Sequence, residues 1–366
     1  MKKTLLLTHE YFPYPGGVAT YCHSLFQHLP AERYVVATDC SVVKAAANIY
    51  NIQFLSKKIW PHWLLGFFRI LFLVRREKIQ VLLTPNILPL GSIALLIKIF
   101  TGKPYIISLH GLDINLALQS KAWWTKIILK QAKQVICNTH YNAKLVEPFV
   151  PQDHISVIYP SSSLIGQTCS AEHVRALREK YSLAGKKVIL TVGRLVARKG
   201  HALVLEALRD LDRSDWRYLI AGEGPEASNL QNLIKQYHLE EKAILLGAVS
   251  NEELPCFYQA ADIFILPHQL LGQSHHDVEG FGIVFLEAAS FSLPIIAGQS
   301  GGVNEIFDNQ EDVVYVNNTA DVKQALEDFL NDPVKVKKYG ANAFKINQKF
   351  ASEAQKGIKL LDNLLN

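Results

Sequence analysis

Short runs of nearly all apolar residues alternate along this chain with longer stretches in which apolar positions recur every three or four residues. The first kind of run suits a strand covered on both faces, the second a helix with one buried side, and their alternation is the mark of βα units around a parallel sheet. In the first half the pattern predicts strands at Thr4–Thr8, Tyr34–Thr38, Val81–Thr84, Tyr105–Leu109, Gln134–Asn138 and Ser156–Ile158. It restarts near Lys187, with strands predicted at Val188–Gly193, Tyr218–Gly222, Ile244–Gly247, Ile263–Pro267, Pro294–Gly298 and Val313–Val316. The expected fold is therefore α/β, two doubly wound Rossmann-like domains. Tyr159-Pro160-Ser161-Ser162-Ser163 has the composition of a connection, so the domains are placed at 1–160 and from 161 onward. Ligands of such sheets lie outside the carboxyl ends of the strands, and two facing domains of this kind imply an active site in the cleft between them.

Composition agrees with this and narrows it. Of 366 residues, 49 % are hydrophobic and 19 % charged, which supplies large cores and excludes a disordered or fibrous chain. The opening Met1–Thr8 resembles a secretory leader only until His9-Glu10 interrupts it, and it reads better as a first strand. The most apolar stretches, 62–74 and 87–100, are broken by Arg69 and by Pro89, Gly91 and Lys98, so no membrane span is expected. The five cysteines lie far apart, at 22, 40, 137, 169 and 256, with no C-x-x-C pair; this argues against a disulfide framework and for a reducing compartment. Charge is uneven. Residues 1–160 carry 17 basic and 7 acidic side chains, net +10, whereas 161–366 carry 21 and 26, net −5. One half is thus suited to an anionic partner.

Four segments could carry chemistry. Gly16-Gly17 follows the first strand and precedes a helical pattern, where backbone N–H groups can approach a phosphate, although an ordinary turn fits as well. No G-x-G-x-x-G occurs, so a nicotinamide dinucleotide is not indicated. Gly193-Arg194-Leu195-Val196-Ala197-Arg198-Lys199-Gly200 brings Arg194 and Lys199 to the carboxyl end of a strand, where they could neutralise a leaving diphosphate or simply be solvated. Glu279-Gly280-Phe281-Gly282-Ile283-Val284-Phe285-Leu286-Glu287 reads as a loop turning into a helix at about Gly282. Its two glutamates stand about 12 Å apart along a helix, too far for a hydrolase pair at roughly 5 to 9.5 Å, and suited to the two hydroxyl-bearing ends of one extended ligand. Ser300-Gly301-Gly302 is a second candidate anion site by the same helix-end reasoning.

Together with Ala221-Gly222-Glu223-Gly224-Pro225, these segments resemble the retaining glycosyltransferases of family 4, which have the GT-B fold, over nearly the whole chain. The resemblance implies an acceptor-binding first domain and a second domain, 161–343, that binds a nucleotide diphosphate sugar with a UDP or GDP base. It also implies a final helix, 344–366, packing back on the first domain. By resemblance Arg194 and Lys199 bind the diphosphate, Glu279 the sugar hydroxyls and Glu287 the ribose. Phe281, Gly282 and Ile283 offer backbone amides, and His110, at the end of the strand Tyr105–Leu109, occupies the active-site histidine position. The departing phosphate itself takes the acceptor proton in that family, with no metal and no cofactor. Two features depart from the pattern: Pro160-Ser161-Ser162-Ser163 replaces an N-G-V-D-like segment, and the loop Gln269–Val278 carries His275-His276-Asp277. The latter reads as a variable substrate loop rather than a metal site, since adjacent residues rarely share one ion. Asp210-Leu211-Asp212, a D-x-D lookalike, reads as solvated surface.

Residues 57–76 mix Trp60, Trp63, Phe67, Phe68 and Phe72 with Lys57, Lys58, Arg69, Arg75 and Arg76, and Lys121–Lys130 repeats the composition around Trp123 and Trp124. A buried helix with basic ends competes, but two such segments in the +10 half favour peripheral attachment to an anionic membrane surface. Nucleic acid is not expected, because no recognition motif accompanies the charge. The expectation is a cytoplasmic hexosyltransferase at the inner face of the membrane, acting on a hydroxyl of a glycolipid or lipid-linked glycan. A nucleotide-sugar epimerase or hydrolase of the same fold, or a non-enzymatic basic binding module, are the alternatives.

Overall fold

The computed structural model of the chain describes residues 2–14, 16–44, 46–162, 164–269, 279–307 and 311–366. The chain divides into two units, Met1–Ser161 with Ser352–Asn366, and Ser162–Ala351.

The first unit is built on strands β1 (Thr4–Thr8), β2 (Tyr34–Thr38), β3 (Ile49–Asn51), β4 (Val81–Thr84), β5 (Tyr105–Leu109), β6 (Gln134–Cys137) and β7 (Ile155–Val157). They form one parallel sheet in the order β3-β2-β1-β4-β5-β6-β7. Leu6 lies opposite Val36 on one side and Leu83 on the other. Because side chains alternate across a strand, Leu5 and Leu7 face one layer and Leu6 the other. The first layer holds Phe67, Ile70 and Leu73 of the helix Leu64–Arg76 with Ile93 and Ile97 of the helix Ser92–Thr101. The second holds Tyr21, Leu25 and Phe26 of the helix Gly17–Phe26 with Leu361 and Leu365 near the chain's end. The sheet grows outward from β1 to β3 and then restarts at β4 beside β1, which makes the β1/β4 border its switch point.

The second unit repeats the plan with β8 (Lys187–Val192), β9 (Trp216–Ala221), β10 (Ala243–Gly247), β11 (Ile263–Leu266), β12 (Ile295–Gly298) and β13 (Val314–Val316). Their order is β10-β9-β8-β11-β12-β13, all parallel, so the switch point lies between β8 and β11. Each expected strand is present with ends shifted by no more than a residue or two. The sequence pattern missed β3, a three-residue edge strand with no fully buried side chain and so no apolar run to announce it.

The last helix runs Pro333–Leu365 and starts well before the expected Phe344. Asp332 accepts the N–H groups of Val334 and Lys335 at 2.9 and 3.0 Å, and proline suits the first helical position, so the start signal stands in the sequence at Asp332-Pro333. The expectation drawn from the cysteines, of no disulfide framework and a reducing compartment, is corrected at one pair. Cys169 and Cys256 form a disulfide with Cα atoms 5.0 Å apart across 87 residues of sequence, while Cys22, Cys40 and Cys137 are free and buried. The segment after the connection lies on the helix Leu254–Ala260, where Gln259 Oε1 accepts the Cys169 N–H at 3.0 Å; spacing along the chain carries no trace of that contact. The bond removes the cysteine argument for a reducing compartment.

Candidate active site

In the second unit Gly193, Arg194, Lys199, Gly301 and Gly302 follow a strand's carboxyl end, and backbone packing explains how their loops are held. Gly193, just after β8, donates to Ala221 O at 2.9 Å, and Leu195 donates to Glu223 O at 2.8 Å. A Cβ on Gly222 would sit 1.9 Å from Gly193 O, and one on Gly224 would sit 2.2 Å from Leu195 O. The two glycines of Ala221–Pro225 are there because one loop lies backbone to backbone on the other. Past the turn Ala197–Lys199, Gly200 takes a left-handed φ of 72°, and a Cβ on it would lie 2.2 Å from Pro267 O. The β8 loop is thereby fastened to the exit of β11, where Gln269 N also donates to Arg198 O at 2.8 Å.

That fastening assembles a cluster at the switch point. Lys199 Nζ lies 2.9 Å from His268 Nε2 and donates to Glu279 Oε2 at 2.9 Å. Arg198 donates to the same oxygen at 2.6 Å, and His268 Nε2 lies 3.0 Å from it. Glu279 is anchored through its backbone: its N–H donates to Ser300 Oγ at 3.0 Å, and Gly302 N donates to its carbonyl at 3.0 Å. The E-G-F-G loop and the Ser300-Gly301-Gly302 turn thus form one structure.

The electrostatics follow from burial. Lys199 is 8 % exposed; burial lowers its pKa against the pull of Glu279. Burial alone would raise the Glu279 carboxyl, but Lys199, His268 and Arg198 together hold it well below the usual carboxylate range. His268 is pushed down to about 4, first by burial and then by Lys199, so the ring is neutral at pH 7. Its Nε2 faces both the Lys199 ammonium and the Glu279 carboxylate, and the buried Nδ1 has no hydrogen-bond partner.

Gly282 has a φ of 92° and starts the helix Ile283–Ser290, whose first N–H groups have no partner within the helix. Phe281 is buried with its ring 5.5 Å from Phe350, and Gly301 opens the turn Gly301–Glu305 at a φ of 49°. Glu287 is buried, 7 % exposed, and accepts from the Tyr258 hydroxyl at 2.9 Å; burial lifts its pKa to about 7.

Arg194 stands outside this cluster. It is exposed, and Arg198 is the arginine that joins Lys199 on Glu279. Sequence reasoning assigned neither Arg198 nor His268. His268 had a signal, since it follows a strand end as His110 does; Arg198 is set apart from Arg194 only by the turn that carries it. The loop containing His275-His276-Asp277 falls in 270–278, outside the described residues. Asp210 pairs with neighbouring Arg209 at the surface, as a solvated turn should. Among the described residues no group of three or more His, Cys, Asp or Glu is arranged to hold a metal ion.

In the first unit, Gly17 begins the helix Gly17–Phe26 and Gly16 precedes it, with room for a Cβ only at 3.2 Å from Glu10 Oε2. His110 leaves β5 half-buried: its N–H donates to Asp113 Oδ1 at 3.0 Å, and its ring meets the edge of Tyr21 at 5.1 Å. Burial lowers its pKa to about 4 and raises Asp113 to about 6. Tyr21, whose hydroxyl donates to Ile158 O at 2.9 Å, sits on the glycine-started helix, so the structure brings that helix and His110 together.

Two Rossmann-like units, each with a polar cluster at its strands' carboxyl ends, match the GT-B fold class. The profile of glycosyltransferase family 4 matches residues 15–161, and that of the group 1 glycosyl transferases matches 174–346. The chain belongs to the GT-B glycosyltransferases of family 4. A GDP-mannose-dependent alpha-(1-6)-phosphatidylinositol monomannoside mannosyltransferase of Mycolicibacterium smegmatis is 35 % identical over 43 % of this chain and 42 % of its own. The Mycobacterium tuberculosis enzyme of that name is 24 % identical over 83 % of this chain and 82 % of its own. Among solved structures, Anabaena HepE in complex with UDP and glucose superposes with a TM-score of 0.82 at 18 % identity, covering 99 % of this chain and 100 % of that one. WaaG, a glycosyltransferase involved in lipopolysaccharide biosynthesis, gives 0.77 at 15 % identity over 98 % and 99 %.

Proposed function

We propose that the protein is a retaining, metal-independent hexosyltransferase that moves a sugar from a UDP- or GDP-sugar to a hydroxyl of a glycolipid or lipid-linked glycan. The observation that carries this reading is the Arg198–Lys199–Glu279 cluster beside the Ser300–Gly302 turn. Glu279 pairs there with buried Lys199 and part-buried Arg198. A diphosphate entering there takes the lysine and arginine, supported by the amides at Ile283 and Gly301, and frees Glu279 for the sugar hydroxyls. Arg194, exposed in the same β8 loop, closes on the same phosphates. Glu287 takes the ribose once it trades its Tyr258 bond for a hydroxyl. The anomeric carbon–phosphate oxygen bond breaks, the acceptor oxygen bonds to the same face, and its proton leaves on the departing phosphate. His110, neutral at pH 7, is assigned to the transfer step. The relatives' GDP-mannose and phosphatidylinositol monomannoside, and the UDP bound to HepE, support the donor and acceptor kinds.

Peripheral attachment to an anionic, inner-face membrane belongs to the same proposal. No helix of the described residues is long and apolar enough to cross a membrane. The first unit exposes Phe68 and Phe72 on one helix, Ile99 and Phe100 on the next, and Trp60 at 83 % and Trp123 at 74 %. Phe67 and Phe100 lie 5.5 Å apart, joining the two helices into one apolar face, with Arg69, Arg75, Arg76 and Lys98 on the same helices. Such a face suits a lipid headgroup layer.

The test supplies a panel of nucleotide sugars with octyl glycosides and reads the product by NMR. A new glycoside with the donor's anomeric configuration is expected. Release of free sugar alone, or an inverted product, would contradict the proposal.

A further inference from the structure

The first unit carries a second polar cluster at its switch point, with no part in the chemistry above. His9 leaves β1, and its Nδ1 lies 2.9 and 3.1 Å from the two carboxylate oxygens of Asp39, which leaves β2. On the β4 side, Asn86 Oδ1 accepts the His9 N–H at a long 3.5 Å. The ring stands edge-on to Phe54 at 5.5 Å. Asp39 and one aromatic ring thus fix the imidazole, while Asn86 holds the His9 backbone. Its side chain remains 27 % exposed, and no described residue hydrogen-bonds Nε2.

The chemistry of the free edge follows. Asp39 takes the Nδ1–H and so sets the tautomer, leaving a lone pair on Nε2. A fixed imidazole lone pair accepts a hydrogen bond from a hydroxyl. It is a poor partner for a phosphate, which Asp39 and the nearby carboxylate of Glu10 would also repel. A surface histidine serving only the fold would have no need of a carboxylate aiming it, and ligands of open α/β sheets sit at the switch point this residue occupies.

We infer that His9 is an acceptor-binding residue: its Nε2 accepts a hydroxyl of a ring polyol, a sugar or cyclitol headgroup, with Asp39 as the positioning residue behind it. This rests on the transferase reading, since it names the acceptor side of that reaction.

The probe is octyl α-mannopyranoside, titrated into protein labelled with nitrogen-15 at histidine, with the His9 ring nitrogens followed by NMR. A shift at Nε2 is expected, absent in His9→Ala and weakened in Asp39→Asn. Where GDP-mannose is the donor, KM for the octyl mannoside rises about tenfold in His9→Ala, the loss of one neutral hydrogen bond. His9→Gln, whose amide oxygen can accept, recovers part of it, and GDP affinity stays unchanged. Absence of any shift at Nε2, or His9→Ala binding the probe as the wild type does, overturns the inference. A shift at Nε2 in a protein that transfers no sugar to any acceptor upholds this site and sinks the transferase reading instead.

Discussion

Glu287 shows how much a single carboxyl depends on where the fold puts it. Eight positions from Glu279, it shares that residue's chemistry but has one neutral neighbour, the Tyr258 hydroxyl, where Glu279 has three nitrogen-bearing side chains. Burial therefore raises it from 4.5 to about 7. A carboxyl with a raised folded pKa contributes fully below the unfolded value of 4.5, and the contribution is lost as pH climbs through 7. Glu287→Gln keeps an oxygen for Tyr258 and has no proton to lose. Relative to wild type it is expected to gain stability between pH 4.5 and pH 8, by at most about 3 kcal/mol. Urea unfolding across that range checks this, and a constant difference at every pH would contradict it. Lys199 and Glu279 were legible from motif spacing. Arg198 and His268 were not, because a turn at Gly200 and the packing of Pro267 decide which cation meets which carboxylate.

At the scale of elements, loops carry the site and glycines set how closely they approach. The strands were legible because burial on both faces demands unbroken apolar runs. β3 and the early start of the last helix escaped, one for lack of such a run, the other because its signal is a cap rather than a period. The Cys169–Cys256 bond escaped because it joins segments that only the folded second unit brings together. The glycine argument has a direct check. Gly222→Ala forces a Cβ to 1.9 Å from a backbone carbonyl, whereas Gly247→Ala, at a φ of 70°, meets nothing within 4 Å. The first is expected to cost about 3 kcal/mol or more and the second about 1 kcal/mol of backbone strain. Equal losses in thermal or denaturant unfolding would show that loop contact does not set the cost.

On the scale of the molecule, the two units share a plan and differ in surface. The acidic second unit sets two of its cations, Lys199 and Arg198, in a cluster where they meet a carboxylate. The basic first unit spreads its charge around an exposed aromatic face. Phe68→Ser with Phe72→Ser removes two side chains that are 55 % and 66 % exposed, so the fold is left intact. Sedimentation with anionic phosphatidylglycerol vesicles should fall at least about tenfold, and wild-type binding should weaken with added salt. Retention of full binding would place any membrane contact elsewhere.

The central claim is that the paired cations at the β8/β11 border, Lys199 and Arg198, exist to hold a diphosphate. Calorimetric titration of GDP and UDP into the wild type and Lys199→Ala tests it most directly. One of the two nucleotides should bind the wild type at a single site, and the variant should bind it at least about tenfold more weakly, as the loss of a charge-assisted bond requires. A wild type that takes up neither nucleotide, or a variant that binds as tightly as its parent, would contradict the account.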